Sequence, residues 1–370
     1  MQKIIGIFVL VFLALAPSFG NALTCSVPTY VDNSSPFDYN VLELFPDVDG
    51  QFFLWQEVLK DDAVLGDNAK LILHDIGVDF ILDTSDDQQW VITDHSKYEF
   101  AHISNGRVVF LTDNLVLQSC IVQPGGCIPQ SGQQGFNTIS SAGNIREMDL
   151  KDDLLVFNQE LSPTNDEIVV VDLATGGYKK IQISRPLQNS DTVVQSSGKI
   201  AVWLQVDSDP ISQASNSSIY IYNPTSDKLT KIPQKNNEKM SLWSASSYNQ
   251  NMSIIYASDN RFNKIVFDQS NDTFQPSYDS TAPFGIKLNK SVSLGYAPFE
   301  RSLGFINNPM GLMVYDLVML SKIAVQPAKS NILIPNMAKG DGKNVLFVET
   351  FFDLSLFPDP IHRVKHSTCN

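Results

Sequence analysis

Basic residues are scarce in this chain. Against 40 aspartates and glutamates it carries 26 lysines and arginines, a formal net charge of −14 over 370 residues. An excess of that sign repels phosphate backbones and excludes nucleic acid as a partner class. Long apolar runs are missing too, except at the very start, so no later segment suits a membrane-spanning helix and no membrane anchor is expected. Helical periodicity is not sustained anywhere beyond that opening segment. Catalytic signatures are also lacking: there is no His-Glu-x-x-His pair, no Gly-x-Ser-x-Gly elbow and no phosphate-cradling glycine loop. No cofactor is expected.

The exception at the start is informative. Lys3 precedes an apolar run from Ile4 to Pro17, and small residues follow to Asn21-Ala22. This layout predicts a cleavable signal peptide over 1–22, a mature domain over 23–370 and a secreted or periplasmic location. Cysteines number four, and an even count in an exported chain predicts two disulfides with three possible connectivities. Cys120 and Cys127 flank the turn-rich IVQPGG, which would bring adjacent strands together. Cys25 and Cys369 stand at the two ends of the mature chain. The expected pairs are Cys120–Cys127 and Cys25–Cys369, and the second requires the chain ends to be neighbours.

Strand-forming residues are plentiful, and they repeat. Seven stretches join a polar turn to an apolar run: DVDGQFFLW, ISNGRVVF, LKDDLLVF, SSGKIAVW, YNQNMSIIY, FERSLGF and GDGKNVLF. Their last residues, Trp55, Phe110, Phe157, Trp203, Tyr256, Phe305 and Phe347, recur at intervals of 42 to 55 residues. That period marks a propeller or a solenoid. A second hairpin follows in most units: IVVVDLATGGYKKI (168–181), IYIYNPTSDKLTKI (219–232), KIVFDQSNDTFQPS (264–277) and LMVYDLVMLSKIAV (312–325). The residue ending its first strand is Asp172, Asn223, Asp268 or Asp316, a type whose side chain bonds the backbone of its own turn. Asp75 in LILHDIGVDFIL holds that place in the first unit, and the cysteine loop fills it in the second.

Two hairpins give four strands per unit. Seven such units predict an all-β fold, a seven-bladed β-propeller. Six or eight blades are the alternatives, because the segment from Asp83 to Phe100 does not align and leaves room for a strand exchange. A sheet apolar on both faces must stack on neighbours, and closing the ring supplies them while placing the first and last units side by side. The repeats SSGKIAVW, IVVVDLATGGYKKI, IYIYNPTSDKLTKI and LMVYDLVMLSKIAV resemble those of TolB-type, Trp-Asp-like propellers of exported proteins. The resemblance covers 140–370 well and 37–140 loosely, and the Trp-Ser-Pro-Asp-Gly turn of that family is absent. It implies a fold and a tendency to bind partners, and transfers no catalytic residue.

Individual residues are weighed within that frame. Trp55 and Trp203 hold the repeat's core position and read as packing, whereas Trp90 and Trp243 stand outside it as candidates for stacking on sugars. Of the five histidines, His74, His95 and His102 form no recognisable pattern, and His362 and His366 read as a solvated polar tail. PDVDG at 46–50 reads as a hairpin turn and not a calcium loop. No catalytic or metal-ligating residue is assigned. Sequons at Asn216, Asn251, Asn271 and Asn289 are acceptors if the host glycosylates, while Pro36 disfavours Asn33. Long loops at 123–137 and 206–218 point to partner binding. The reading is a non-enzymatic exported propeller, a protein-interaction or ligand-binding module that takes a protein or glycan partner at its loops or channel mouth. The alternatives are a hydrolase or lyase acting on a glycan or peptide in the channel, and a lectin. Channel lining separates them: converging histidines and carboxylates favour the enzyme, a bare apolar channel the scaffold.

Overall fold

A computed structural model describes residues 25–31, 41–59, 69–79, 81–127, 137–139, 144–184, 191–208, 215–233, 240–248, 251–258, 261–280, 285–287, 292–298, 310–316, 321–326, 333–341, 344–351 and 361–368. The expected signal peptide, Asn33, Asn289, Phe305, Cys369 and much of both long loops lie outside these residues. The regular structure described is all strand, and all pairings are antiparallel.

The chain begins with β1 (Thr29–Tyr30). One sheet then runs through β2 (Val41–Asp49), β3 (Phe52–Leu59), β4 (Ala69–Asp75), β5 (Gln88–Ser104), β6 (Arg107–Thr112), β7 (Leu117–Gln123) and β8 (Gly126–Cys127), with β9 (Asn137–Ile139) also on β7. Four-stranded sheets follow in chain order. The first holds β10 (Asn144–Lys151), β11 (Leu154–Ser162), β12 (Asn165–Asp172) and β13 (Gly177–Ser184); the next holds β14 (Asp191–Ser196), β15 (Ala201–Ser208), β16 (Ser215–Asn223) and β17 (Lys228–Pro233). Then come β18 (Met240–Tyr248), β19 (Asn251–Ser258), β20 (Arg261–Asp268) and β21 (Thr273–Ser280), followed by β22 (Gly285–Lys287), β23 (Val292–Pro298), β24 (Met310–Asp316) and β25 (Ser321–Gln326). The last sheet has β26 (Leu333–Asp341), β27 (Asn344–Phe351) and β28 (Ile361–Thr368), and takes β1 as its outer strand.

Local chemistry explains the hairpins. Asn105 and Gly106 adopt φ of 52° and 65° between β5 and β6, the left-handed pair that lets a two-residue turn follow the strand twist. The second hairpins close as expected: Asp75, Asp172, Asn223 and Asp268 each accept a backbone N–H from their own turn at 2.9–3.1 Å. Second strands are buried on both faces, with Leu155, Val156 and Phe157 all inaccessible. That is why they read as unbroken apolar runs and not as alternating patterns.

The sheets form a closed ring. Inner strands β2, β5, β10, β14, β18, β22 and β26 each touch the next, and β26 touches β2. The segment that did not align is the seventeen-residue β5, which pairs with β4 at positions from Gln88 to Ser96 and with β6 at Ser96 and through Ala101–Ser104. Gln56, fully buried, pins the passage by donating to Ser96 Oγ and Lys97 O, both at 2.9 Å, while its Oε1 accepts Glu99 N at 2.9 Å.

Two expectations need correction. The second strand of the penultimate sheet is Val292–Pro298, upstream of FERSLGF; Ser293-Leu294-Gly295-Tyr296 and Ser302-Leu303-Gly304-Phe305 are near-copies that periodicity alone cannot separate. Nor is the terminal segment a solvated tail. Ile361–Thr368 lies between β27 and β1, and its polar residues are held by specific partners.

The seam is where the ring closes. Glu43 on β2 is buried, accepts Val364 N of β28 at 2.7 Å and lies 3.2 Å from the Arg363 guanidinium. Asn344 donates to Gly50 O at 2.7 Å, and Ser26 N donates to Thr368 O at 2.8 Å. Cys25 is disulfide-bonded. Removing one partner of a buried ion pair strands the other, so Glu43→Ala should reduce stability towards urea by about 3–5 kcal/mol; a loss under about 1 kcal/mol would show that the seam does not depend on this pair. Peptide mapping without reductant should recover Cys25 joined to Cys369.

Candidate functional site

The antiparallel register brings one set of side chains to a single level of the inner strands. Asp47 lies opposite Leu54, His102 opposite Val109, Asp149 opposite Val156, Gln195 opposite Val202 and Lys339 opposite Leu346. Each of those cross-strand partners immediately precedes the repeat's large residue, Trp55, Phe110, Phe157, Trp203 or Phe347. The layer is polar on all five strands, and four of its members carry acidic or basic side chains.

The members contact one another from one inner strand to another. His102 Nδ1–H donates to Asp47 Oδ2 at 3.0 Å, and the same oxygen accepts Ile103 N at 3.2 Å. Asp149 Oδ2 accepts Ser196 N of the following sheet at 2.6 Å. Lys339 Nζ lies 4.0 Å from Asp149 Oδ1. Since β2 and β5 stand between β26 and β10 around the ring, an ammonium on β26 reaches β10 only by crossing near the axis. Burial pushes the Asp47 carboxyl up, but the His102 hydrogen bond, the Lys339 and His102 charges and the Ile103 amide outweigh it and hold the pKa below its usual value. Burial pulls the Lys339 ammonium down, and the charges of Asp47 and Asp149 outweigh that and raise its pKa. The layer therefore keeps ionised groups of both signs at the ring's centre. The channel is not bare and apolar.

Other singled-out residues go elsewhere. Trp55 and Trp203 are fully buried with no hydrogen-bond partner for either Nε1, as packing residues would be. Trp90 is half-buried, one face against Gly126, where a Cβ would sit 2.9 Å from the indole ring. Trp243 is on β18, and its side chain is outside the description. His74 is buried against Phe53 and Trp55, 3.5 Å from Asp87. His95 is exposed between Asp94 and Asp113. His362 Nδ1 lies 2.9 Å from Thr350 Oγ1, and His366 donates from Nε2 to Asn344 Oδ1 at 2.8 Å. PDVDG is a hairpin end, as expected, and its carboxylates also bind the next inner strand and its turn: Asp49 accepts Gly106 N at 2.6 Å. Cys120 and Cys127 form a disulfide that ties β7 to β8. Asn271 is exposed in a turn, whereas Asn216 and Asn251 sit in strand register opposite Asp207 and Tyr248.

Asp47, Asp149 and Lys339 were not recognised from sequence, and His102 was seen without its partners. A signal was present: Asp47, His102, Asp149 and Lys339 each precede their unit's aromatic by eight residues.

A closed ring of antiparallel sheets, five of them four-stranded and one of eight strands among the described residues, around polar inner strands decides the architecture. The fold is a β-propeller. No family model and no curated protein matches the chain by sequence, so the TolB-type resemblance assigns no family. Similar solved structures are propeller proteins. An oligogalacturonate lyase from Vibrio parahaemolyticus superposes with a TM-score of 0.56 at 11% identity, over 94% of this chain and 96% of that one. An acylaminoacyl peptidase from Pyrococcus horikoshii gives 0.55 at 10% identity over 85% of this chain and 51% of that one. A puromycin-hydrolyzing peptidase from Mycobacterium tuberculosis gives 0.50 at 11% identity, over 88% and 52%. The chain spans about half the length of the two peptidases, and at these identities the likeness is of fold alone.

His366 carries a pH prediction. Burial, with the nearby His74 charge, lowers its pKa from 6.5 to about 4. The unfolded chain takes up this proton at its ordinary pKa, so stability is intact above pH 6.5 and declines as pH falls towards about 4, by up to roughly 3 kcal/mol. His366→Gln should flatten the urea-stability profile across that window; a profile parallel to wild type would sink the assignment.

Proposed function

We propose that this is an exported seven-bladed propeller serving as a ligand-binding module, with the axial layer as its site and a protein or glycan as the partner. The blade count rests on dividing β5 between two blades, the outer strand of the first and the inner strand of the second. β1 then completes the blade made by β26, β27 and β28. Export is supported by the charged-apolar-small opening segment together with the disulfides.

One observation carries the binding reading: ionisable side chains from four inner strands meet at one level. Binding is favoured over catalysis because the Asp47 and Asp149 carboxylates already accept backbone N–H groups of the following blade. The second reading, an enzyme at the same layer, draws on the Asp47–His102 pair, since a carboxylate that holds Nδ1–H leaves Nε2 placed as a base. One protein similar over nearly its whole length is an oligogalacturonate lyase, which gives that reading a substrate to try.

The test uses chain 23–370 with peptide and saccharide libraries, following thermal shift, and with oligogalacturonate, following any unsaturated product. Wild type should gain several degrees with a ligand, and Lys339→Met should lose that gain. A gain unchanged in the variant would remove the site from the axis, and product formation would establish the enzyme reading.

A further inference from the structure

The chemistry left unused in the axial layer narrows the ligand, given that the layer is the binding site. Lys339 is the member with spare donors. Its nearest carboxylate oxygen is 4.0 Å away, outside hydrogen-bond range, and its side chain as a whole keeps 35% exposure. Its three N–H groups find no acceptor at hydrogen-bond distance among the described residues. On the other side of the gap, Asp149 has one oxygen spent on Ser196 N, while Oδ1 meets only the ammonium. A third group is close by in the layer: His102 has committed Nδ1–H to Asp47, which leaves Nε2 as an acceptor when the ring is neutral.

Charge decides between ligand classes. The groups acting on Lys339 are Asp47, Asp149, Glu147 and Lys151, so three carboxylates face two ammonium groups, inside a chain of net charge −14. An anionic ligand would enter a layer already negative by one. A cationic ligand would meet Lys339 in the place it would need. A neutral molecule rich in hydroxyl groups meets neither obstacle. A hydroxyl oxygen can accept from Lys339 Nζ while its proton goes to Asp149 Oδ1, and two bonds of about 2.8 Å bent at one oxygen bridge a gap close to the one present. Placing one hydroxyl between a charged donor and a charged acceptor makes both hydrogen bonds charge-assisted.

We propose that the axial layer binds a neutral saccharide, with one hydroxyl held between Lys339 Nζ and Asp149 Oδ1 and another donating to His102 Nε2. The test titrates chain 23–370 with neutral oligosaccharides (cello-, xylo-, manno-, malto- and chito-series), with oligogalacturonate as the anionic counterpart and with chitosan oligomers as the cationic one. Lys339→Met and Lys339→Gln are titrated in parallel, and their folding is checked by circular dichroism. A neutral oligosaccharide should bind wild type and lose about tenfold or more in affinity in whichever Lys339 variant keeps the native spectrum. Binding confined to oligogalacturonate or chitosan, if lost in the variants, overturns the saccharide class and leaves the axial site standing. Saccharide binding that both variants retain overturns the class assignment and the axial site together. If no saccharide binds, the inference is wrong, and a peptide that binds wild type but not the variants shows that the axial site survives it.

Discussion

Closure of the ring is the constraint on which the rest of the molecule depends. Each sheet is apolar on both faces, so an open row would leave two faces in water. At the seam those faces meet in one buried cluster, in which Leu42, Leu44, Phe53 and Trp55 from the start of the chain pack with Leu346, Val348 and Val364 from its end. Apolar contact is non-directional and would tolerate sliding. Direction comes from the polar groups set into it: Glu43 on Val364 N and Arg363, Asn344 on Gly50 O, and β1 laid along β28. Lys339 belongs to the last sheet and its carboxylate neighbours to earlier ones, so the axial layer exists only once this seam has formed.

The carboxylates of the inner strands have a structural cause that precedes any ligand. An innermost strand is an edge strand, and its N–H groups on the axial side have no ladder partner. Asp47 covers Ile103 N, Asp49 covers Gly106 N and Asp149 covers Ser196 N, each reaching from one inner strand to the next inner strand or its turn. Ser104 Oγ likewise accepts Asp152 N at 2.7 Å. These bonds tie neighbouring inner strands together as well as satisfying the edge. The same residues consequently serve as hinges of the ring and as walls of its channel.

The architecture was legible because it is periodic. Turn chemistry at Asp172, Asn223 and Asp268 and the aromatic positions from Trp55 to Phe347 repeat often enough to reveal four-stranded units, and the Cys120–Cys127 bridge follows from a turn-rich spacer. Where a local duplicate competed with the long period, as in SLGY and SLGF, the register slipped. The segment through β5 resisted alignment because one seventeen-residue strand runs on from its pairing with β4 to its pairing with β6, and such a passage has no turn residues to mark it. His366 was misread for a different reason: polarity signals exposure only when no partner is available, and Asn344 is twenty-two residues away in sequence. The axial layer was hidden for a similar reason, since its members share a position in the repeat but not a residue type.

That variation in residue type is itself informative. A position needed only to cover an edge amide would be filled by an acceptor in every unit, as Asp47 and Asp149 fill it. His102 and Lys339 are donors at the same level, and Lys339 cannot accept at all. Their presence breaks the ring's repetition on one arc, from β26 through β2 and β5 to β10. Gln195 continues the polar level on β14 without a charge. A ring whose axis were merely structural would have no reason to place an ammonium with unspent donors 4.0 Å from a carboxylate oxygen that meets nothing else among the described residues. The asymmetry lies in the one place where all the sheets are within reach of each other.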